Sequence, residues 1–284
     1  MSVTVAVIAM GEMGSGVAGR LTSRGARVLT SLQGRSAASG GRAQAAGVGV
    51  AESDEALVAE ADVLLSIVPP ARAGDLARRL LPAIRAVNPR LVYVDCNAIA
   101  PQTMAEIAAP FAETGLALVD AGILGGPPTP EGYTPRIYAS GPQAPAFAAL
   151  EAHGLDIPVL SDRIGDASAL KMAYAGTTKG AHAVMISMML GAMRSGVGEA
   201  FVREMKHSQA GRLEAAVRQM PMVLKKAYRW DGEMEEIARF LAPEAGGAEI
   251  FQGAARLYRA LAADVEAGPE AERMALLDGL ASKV

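Results

Sequence analysis

Three groups of residues have the types and spacing that chemistry needs. The first is Ala9-Met10-Gly11-Glu12-Met13-Gly14, directly after the apolar run Val3–Ile8. A strand that runs through a glycine-marked turn into a helix builds a pyrophosphate cradle. N–H groups at the helix start face the phosphates, and the helix dipole favours their charge. Ala9 fills the first position of the G-x-G-x-x-G fingerprint, which requires that its φ stay negative. Alone, the motif reads equally well as an ordinary strand-to-helix turn. The second group is Thr30-Ser31-Leu32-Gln33-Gly34-Arg35-Ser36, where a ribose-binding carboxylate would stand about 20 residues past the glycine turn. There is none. Arg35 and Ser36 can instead pair with a 2′-phosphate, so the cofactor predicted is NADP(H). The third is Lys171, among Ala169, Leu170, Met172 and Ala173. Desolvation there would lower its pKa toward proton-transfer work, while a lysine snorkelling from a helix end would look the same. On a helix, Tyr174, Ala175 and Thr178 share its face.

Positioning these groups requires a particular scaffold. Apolar runs at Val3–Ile8, Arg27–Leu32, Val63–Val68, Leu91–Val94 and Ala117–Ile123 read as strands covered on both faces. Helices fall between them at Met13–Ser23, Ala37–Ala46, Asp54–Ala59, Gly74–Val87 and Pro101–Thr114, followed by a strand at Arg136–Ala139 and a helix at Pro145–Ala152. The alternation predicts an α/β fold, a Rossmann-type doubly wound sheet. Ligands sit at the carboxyl ends of such strands, so Val68-Pro69-Pro70 reads as a rigid wall beside the nicotinamide ribose or as a plain strand stop. Beyond Ile164 the strand pattern ends. Gly165–Ser195 reads as one long interdomain helix of about 45 Å. Further helices follow at Ala200–Ser208, Gly211–Tyr228, Gly232–Leu241 and Ala248–Ala267. The expected division is a Rossmann domain over 1–163 and an all-α substrate and dimerisation domain over 164–284.

With 51% hydrophobic and 20% charged residues, the 284-residue chain has the means for a large core. A net charge of −3 without a basic block gives nucleic-acid binding no support. Cys96 is the single cysteine, which excludes an internal disulfide and a cysteine-rich zinc site, and no metal is expected. No basic-then-apolar segment precedes the first strand, and the apolar stretch near Ala181–Met193 is too short to span a bilayer. A cytoplasmic location is therefore expected. Met185, Met188, Met189 and Met193 form a helical stripe that suits core or subunit packing, and the expected assembly is a homodimer.

Four motifs, in order, carry a family resemblance. These are the glycine turn, Val94-Asp95-Cys96-Asn97-Ala98-Ile99-Ala100-Pro101, Asp120-Ala121-Gly122-Ile123-Leu124-Gly125-Gly126, and Ile164-Gly165-Asp166-Ala167-Ser168-Ala169-Leu170-Lys171. The chain resembles the β-hydroxyacid dehydrogenases, the superfamily of 6-phosphogluconate dehydrogenase and 3-hydroxyisobutyrate dehydrogenase. Gly125-Gly126-Pro127-Pro128, Arg136-Ile137-Tyr138, Lys171–Gly176 and Ala227-Tyr228-Arg229-Trp230 with Glu233–Glu236 are similar to an uncharacterised branch with a distinct helical C-terminal domain.

The resemblance implies that Lys171 is the general acid/base of an oxidoreductase. Hydride would move between nicotinamide and a hydroxyacid or related alcohol or carbonyl. Asn97 stands where the family has a hydroxyl residue, and it would contact substrate and cofactor. Gly122, Gly125 and Gly126 would offer backbone amides to the substrate, and Tyr174 and Thr178 would supply the polar groups beside Lys171. Leu124 replaces a family serine and Ala175 a family asparagine. Both departures imply a larger or less polar substrate than 3-hydroxyisobutyrate. Imine reductases share the layout but typically carry Asp or Tyr in place of the lysine. A dinucleotide-binding protein without chemistry is the third reading. Trp230 is expected to be a core anchor, although Lys226, Arg229, Trp230 and Glu233 are placed to cover the site.

Overall fold

The computed structural model describes residues 3–284, in two compact units that meet at Met172 and Ala173. The first unit is built on eight strands. These are β1 (Thr4–Ile8), β2 (Arg27–Ser31), β3 (Gly49–Ala51), β4 (Val63–Ser66), β5 (Val92–Asp95), β6 (Leu118–Leu124), β7 (Arg136–Ser140) and β8 (Val159–Ser161). They lie in the order β3-β2-β1-β4-β5-β6-β7-β8, and every pair is parallel except β6 with β7. The chain leaves β1 toward β2 and β3, then returns to place β4 on the other flank. That reversal opens a crevice at the carboxyl ends of β1 and β4.

Side-chain alternation sorts the sheet into two cores. Val5, Val7, Val28, Leu65, Val94 and Val119 form one core with Val17 and Leu21 of α1 (Glu12–Ser23) and with Phe147. Ala6, Ile8, Leu29, Leu64, Tyr93 and Leu118 face the opposite layer. That layer holds Leu57 of α3 (Asp54–Glu60), Leu80 and Ile84 of α4 (Ala73–Val87), and Met104, Ile107 and Phe111 of α5 (Pro101–Thr114). Helix α2 (Ala37–Ala45) links β2 to β3, and α6 (Ala144–Ala148) follows β7. Strands β3 and β8 escape sequence reading. Each has only three residues and lies at a sheet edge with exposed positions, so neither shows a burial period.

Helix α7 (Asp166–Ala175) begins in the first unit. The compact division therefore falls at Met172, later than the limit of 163 read from sequence, because the first turns of α7 bond to the sheet. The long helix expected over Gly165–Ser195 is not uniform. A π-helical turn at Gly176–Gly180 separates α7 from α8 (Ala181–Arg194).

The second unit continues with α9 (Gly198–Ser208), α10 (Ala210–Phe240), α11 (Gly247–Ala267) and α12 (Glu272–Ala281). The two helices expected over Gly211–Tyr228 and Gly232–Leu241 are one 31-residue helix. A glycine inside a helix costs about 1 kcal/mol, and the buried stripe Val223, Ala227, Trp230, Met234 and Ile237 outweighs it. Trp230 is a core anchor as expected. His182 stacks on it at 6.4 Å, Tyr258 meets it edge-on at 5.3 Å, and the Lys179 amine lies 5.3 Å from the ring centroid while pairing with Glu233. In the methionine stripe, Met189 is buried whereas Met188 is 56% exposed. Among the described residues, no helix is long and apolar enough to cross a membrane, and no cluster of three or more His, Cys, Asp or Glu is placed to hold a metal ion.

Candidate active site

At the carboxyl end of β1 the chain makes the turn that its glycines imply. Gly11 caps α1 in extended conformation with no side-chain hydrogen bond, and a Cβ added there would meet nothing within 4 Å. The helix start is therefore open at Gly11, with Glu12 exposed and Met13 half-buried beside it. Gly14 does the opposite work. A Cβ there would overlap the Ala9 carbonyl oxygen, so only glycine lets the helix abut the turn. Ala9 avoids positive φ, as every described non-glycine residue does. Its N–H donates to the Ile67 carbonyl at 3.0 Å, which ties β1 to the end of β4. Met10 is buried, and its carbonyl accepts a 2.6 Å hydrogen bond from Arg42 Nε of α2. This open, uncapped helix start fits a dinucleotide pyrophosphate.

The end of β2 turns through Gly34, whose φ is +68°. Arg35 follows, half-buried, and burial and the neighbouring Arg79 lower its pKa, with Arg72 adding to them and Asp54 opposing. Arg35, Arg72 and Arg79 thus act on one another, with Asp54 pairing with Arg79 at 3.0 Å and Asp75 lying 3.9 Å from Arg72. Ser36 is exposed at the start of α2. Pro69 and Pro70 end β4 and lead into a single 3-10 turn that carries Arg72. This patch fits a phosphate monoester.

A buried polar row crosses the sheet next to this edge. Ser66 of β4 pairs in register with Asp95 of β5, Asp95 with Asp120 of β6, and Asp120 with Ser140 of β7. All four are buried. Asp120 accepts hydrogen bonds from Ser140 Oγ, Gly165 N–H, Ser168 N–H and Ser168 Oγ at 2.6–3.0 Å. Ser140 Oγ in turn accepts from Ala167 N–H at 3.0 Å. The start of α7 is therefore fixed on the sheet by side chains, and its donors are satisfied. Burial still holds the Asp120 pKa above the ordinary carboxylate value.

Asp95 is less well served. Its Oδ1 accepts from the Asn97 N–H at 3.0 Å, while Oδ2 has no partner. Burial raises its pKa to about 7; Asn97 opposes this and the adjacent Asp120 charge adds to it. An unfolded aspartate titrates near 4. Between these values the native state holds a proton that the unfolded chain has lost, so stability falls as pH rises from about 4 to about 7 and is flat above. Asp95→Asn removes that titration and retains Oδ1. Its melting temperature is expected to match wild type near pH 4 and to exceed it by roughly 5 °C at pH 8. Thermal melts across that range check this, and a difference independent of pH would refute it.

Lys171 lies on α7 just after the docked turn. Its amine is partly buried and donates to the Ile123 carbonyl of β6 at 2.7 Å. Gly122 makes that approach possible, since a Cβ there would fall 2.9 Å from the Ala167 carbonyl oxygen and 3.0 Å from Lys171 Cβ. The register Ile8–Ser66–Asp95–Asp120 sets Ile8 and Asp120 three strand spacings apart, about 14 Å, and Ile123 stands three residues further along β6. Cradle and amine thus share one edge of one sheet. Gly125 has φ +138° and Gly126 is exposed with open space around it, while Leu124 is half-buried.

Two expected substrate contacts are committed elsewhere. Asn97 is buried, with Oδ1 accepting from Val68 N–H at 2.7 Å and Nδ2 donating to Ser66 Oγ at 2.8 Å. It joins the ends of β4 and β5. Thr178 lies in the π-helical turn, and its hydroxyl is 3.2 Å from the carbonyls of both Tyr174 and Ala175. Ala175 is buried and Tyr174 is half exposed.

Residues 4–152 match the family model of the NAD binding domain of 6-phosphogluconate dehydrogenase. The chain belongs to the β-hydroxyacid dehydrogenase superfamily. Residues 192–261 of this superfamily member match a domain of unknown function, DUF1932. The conserved protein MTH1747 of unknown function, whose structure is described as similar to 3-hydroxyacid dehydrogenases, is 33% identical. That match has a TM-score of 0.67 and covers 91% of this chain and 96% of that one. A probable 3-hydroxyisobutyrate dehydrogenase of Mycobacterium bovis is 27% identical over 70% of this chain. The matched region spans 63% of that relative's own length. The 3-hydroxyisobutyrate dehydrogenase of Mycobacterium tuberculosis has the same fold, with a TM-score of 0.71 at 20% identity over 99% of each chain.

The site also uses residues to which the sequence reading gave no role. Arg42 clamps the glycine turn, Arg72 and Arg79 complete the cationic patch, and Ser140 and Ser168 complete the Asp120 cluster. Each makes its contact far along the chain, beyond the reach of any motif.

Proposed function

We propose that the protein is an NADP(H)-dependent oxidoreductase acting on a hydroxyacid or a related alcohol or carbonyl, with Lys171 as general acid/base. The observation that carries this reading is the Lys171 amine, held 2.7 Å from the Ile123 carbonyl on the sheet edge that also bears the open glycine cradle. Bound nicotinamide would accept or supply the hydride. The chain's own residues do the rest. Ala9–Gly14 would receive the pyrophosphate, and Gly34, Arg35 and Ser36, with Arg72 and Arg79, would receive the 2′-phosphate. Val68, Pro69 and Pro70 would flank the ribose, held by Asn97. Lys171 would move the proton of the reacting oxygen, with Gly122, Leu124, Gly125 and Gly126 lining the substrate side. Tyr174 is the exposed polar group of the adjoining turn.

Absorbance of NADPH, followed against a panel of carbonyls, hydroxyacids and imines, tests the activity. Consumption with carbonyls supports it, and consumption with imines alone would transfer the protein to the imine reductases. Failure of every compound to consume bound NADPH would leave a dinucleotide-binding protein. Cofactor choice has its own test. Arg35→Ala is expected to weaken NADPH binding by roughly 10- to 100-fold, the size of a charge-assisted hydrogen bond, and to leave NADH within about twofold. Tighter NADH than NADPH binding by wild type would refute the assignment. The exposed Met188 and Val184 of α8 support a homodimer.

A further inference from the structure

A line of hydrogen bonds runs along α2 from its exposed start to the glycine turn. Ser36 stands at the N-cap of α2, yet its hydroxyl makes no bond to the helix N–H groups. Its Oγ lies 3.3 Å from the Oγ of Ser39 instead. Ser39 is buried, and its Oγ accepts from Arg42 Nη2 at 3.3 Å. Arg42 Nε donates to the Met10 carbonyl at 2.6 Å, which fixes the guanidinium on the turn between β1 and α1. Among the described residues, no carboxylate pairs with Arg42. Residues three apart share a helix face, so these three side chains stand in one row. The row has a direction. An arginine only donates, and a hydroxyl has one hydrogen and two lone pairs. Ser39 takes a hydrogen from Arg42, and the acceptor in reach of its own hydrogen is Ser36 Oγ. The hydrogen of Ser36, an exposed residue, is then left to point outward.

We propose that Ser39 and Arg42 are positioning residues for cofactor specificity, which turn the Ser36 hydroxyl into an oriented donor for the 2′-phosphate of NADP(H). This rests on the NADP(H) reading of Arg35 and Ser36. With a cation at its inner end, each hydroxyl of the line is polarised and donates more strongly. A phosphate gains more from such a donor than a ribose hydroxyl does, because a hydrogen bond to an ion is about twice as strong as one between neutral groups. The same guanidinium holds the Met10 carbonyl in the turn that would receive the pyrophosphate. Arg42 therefore serves both phosphate sites, and its arm through Ser39 serves the 2′-phosphate alone.

The probes are NADPH and NADH, titrated into the full chain by fluorescence, and adenosine 2′,5′-bisphosphate, titrated by calorimetry. Ser39→Ala cuts the line, keeps the Arg42 clamp on Met10 and suits a helix. It is expected to raise Kd about fivefold for NADPH and for the bisphosphate, the size of one hydrogen bond, and to leave NADH within about twofold. Ser36→Ala removes the donor itself, so adding Ser39→Ala to it is expected to cost nothing further. Arg42→Met releases the turn as well and is expected to weaken NADH in addition to NADPH. No change in Ser39→Ala would overturn the proposal. So would an equal loss for NADPH and NADH, the mark of a merely structural serine, or additive losses in the double variant. Each of these leaves the NADP(H) reading standing, since wild type still prefers NADPH. If wild type binds NADH as tightly as NADPH, the cofactor reading falls and this inference with it.

Discussion

Replacing Lys171 with methionine is expected to lower kcat by about 10² to 10⁴, the usual contribution of a positioned acid or base. Methionine keeps the length and helix propensity of lysine, so α7 is not disturbed. NADPH binding should stay within about twofold, because the cradle at Gly11 and the patch at Arg35 lie on other strands of the sheet. Kinetics on the best substrate of the panel, with fluorescence titration of NADPH, checks both parts. Loss of kcat without loss of cofactor affinity is the signature of a group that acts in the chemical step. A variant with undiminished turnover would end the general acid/base assignment. A variant that fails to bind NADPH would show instead that Lys171 supports the fold of the cofactor site.

The second large effect is expected from Asp120→Ala, and it falls on stability. Removal of the carboxylate strips acceptors from two backbone N–H groups and two hydroxyls in a buried place. A buried donor without a partner costs about 1–3 kcal/mol. Hydroxyls can turn elsewhere and water can enter the space, so we expect a net loss of about 4 kcal/mol, or roughly 10 °C in Tm. Denaturant unfolding and calorimetry measure it. The same variant should also lower kcat, because Gly165, Ala167 and Ser168 set the position of the helix that carries Lys171. A variant within 1 °C of wild type would contradict the role given to this cluster. Asp120→Asn is the graded control. It keeps one acceptor oxygen but turns donors toward Gly165 and Ser168, so its Tm should fall between the two.

Much of the scaffold was legible from local pattern. Apolar runs with glycine turns marked β1, β2, β4, β5 and β6, since a buried parallel strand is apolar at every position. The cradle was legible because Gly11 and Gly14 each answer a backbone need at a single point. Lys171 was singled out through a motif, and Trp230 was legible as a core anchor through its size. What local pattern missed was either short or shared. Three residues are too few to show a period in β3 or β8. Asp231-Gly232 resembles a helix start, yet the buried stripe of α10 runs through it. Thr178 falls in the π-helical turn at Gly176–Gly180, which no helical period in the sequence announces.

The amino-acid order thus determined which segments become strands and helices, because dihedral preference and hydrophobic period act between near neighbours. It also determined which residue types stand at strand ends. Tertiary structure decided which of those residues are available. It committed the Asn97 amide to Val68 and Ser66, fastened α7 to Asp120, and closed Arg42 on Met10. The partners in each case are brought together by the strand order of the sheet or the path of a loop. A hydrogen bond depends on distance in space, and distance along the chain does not reveal it.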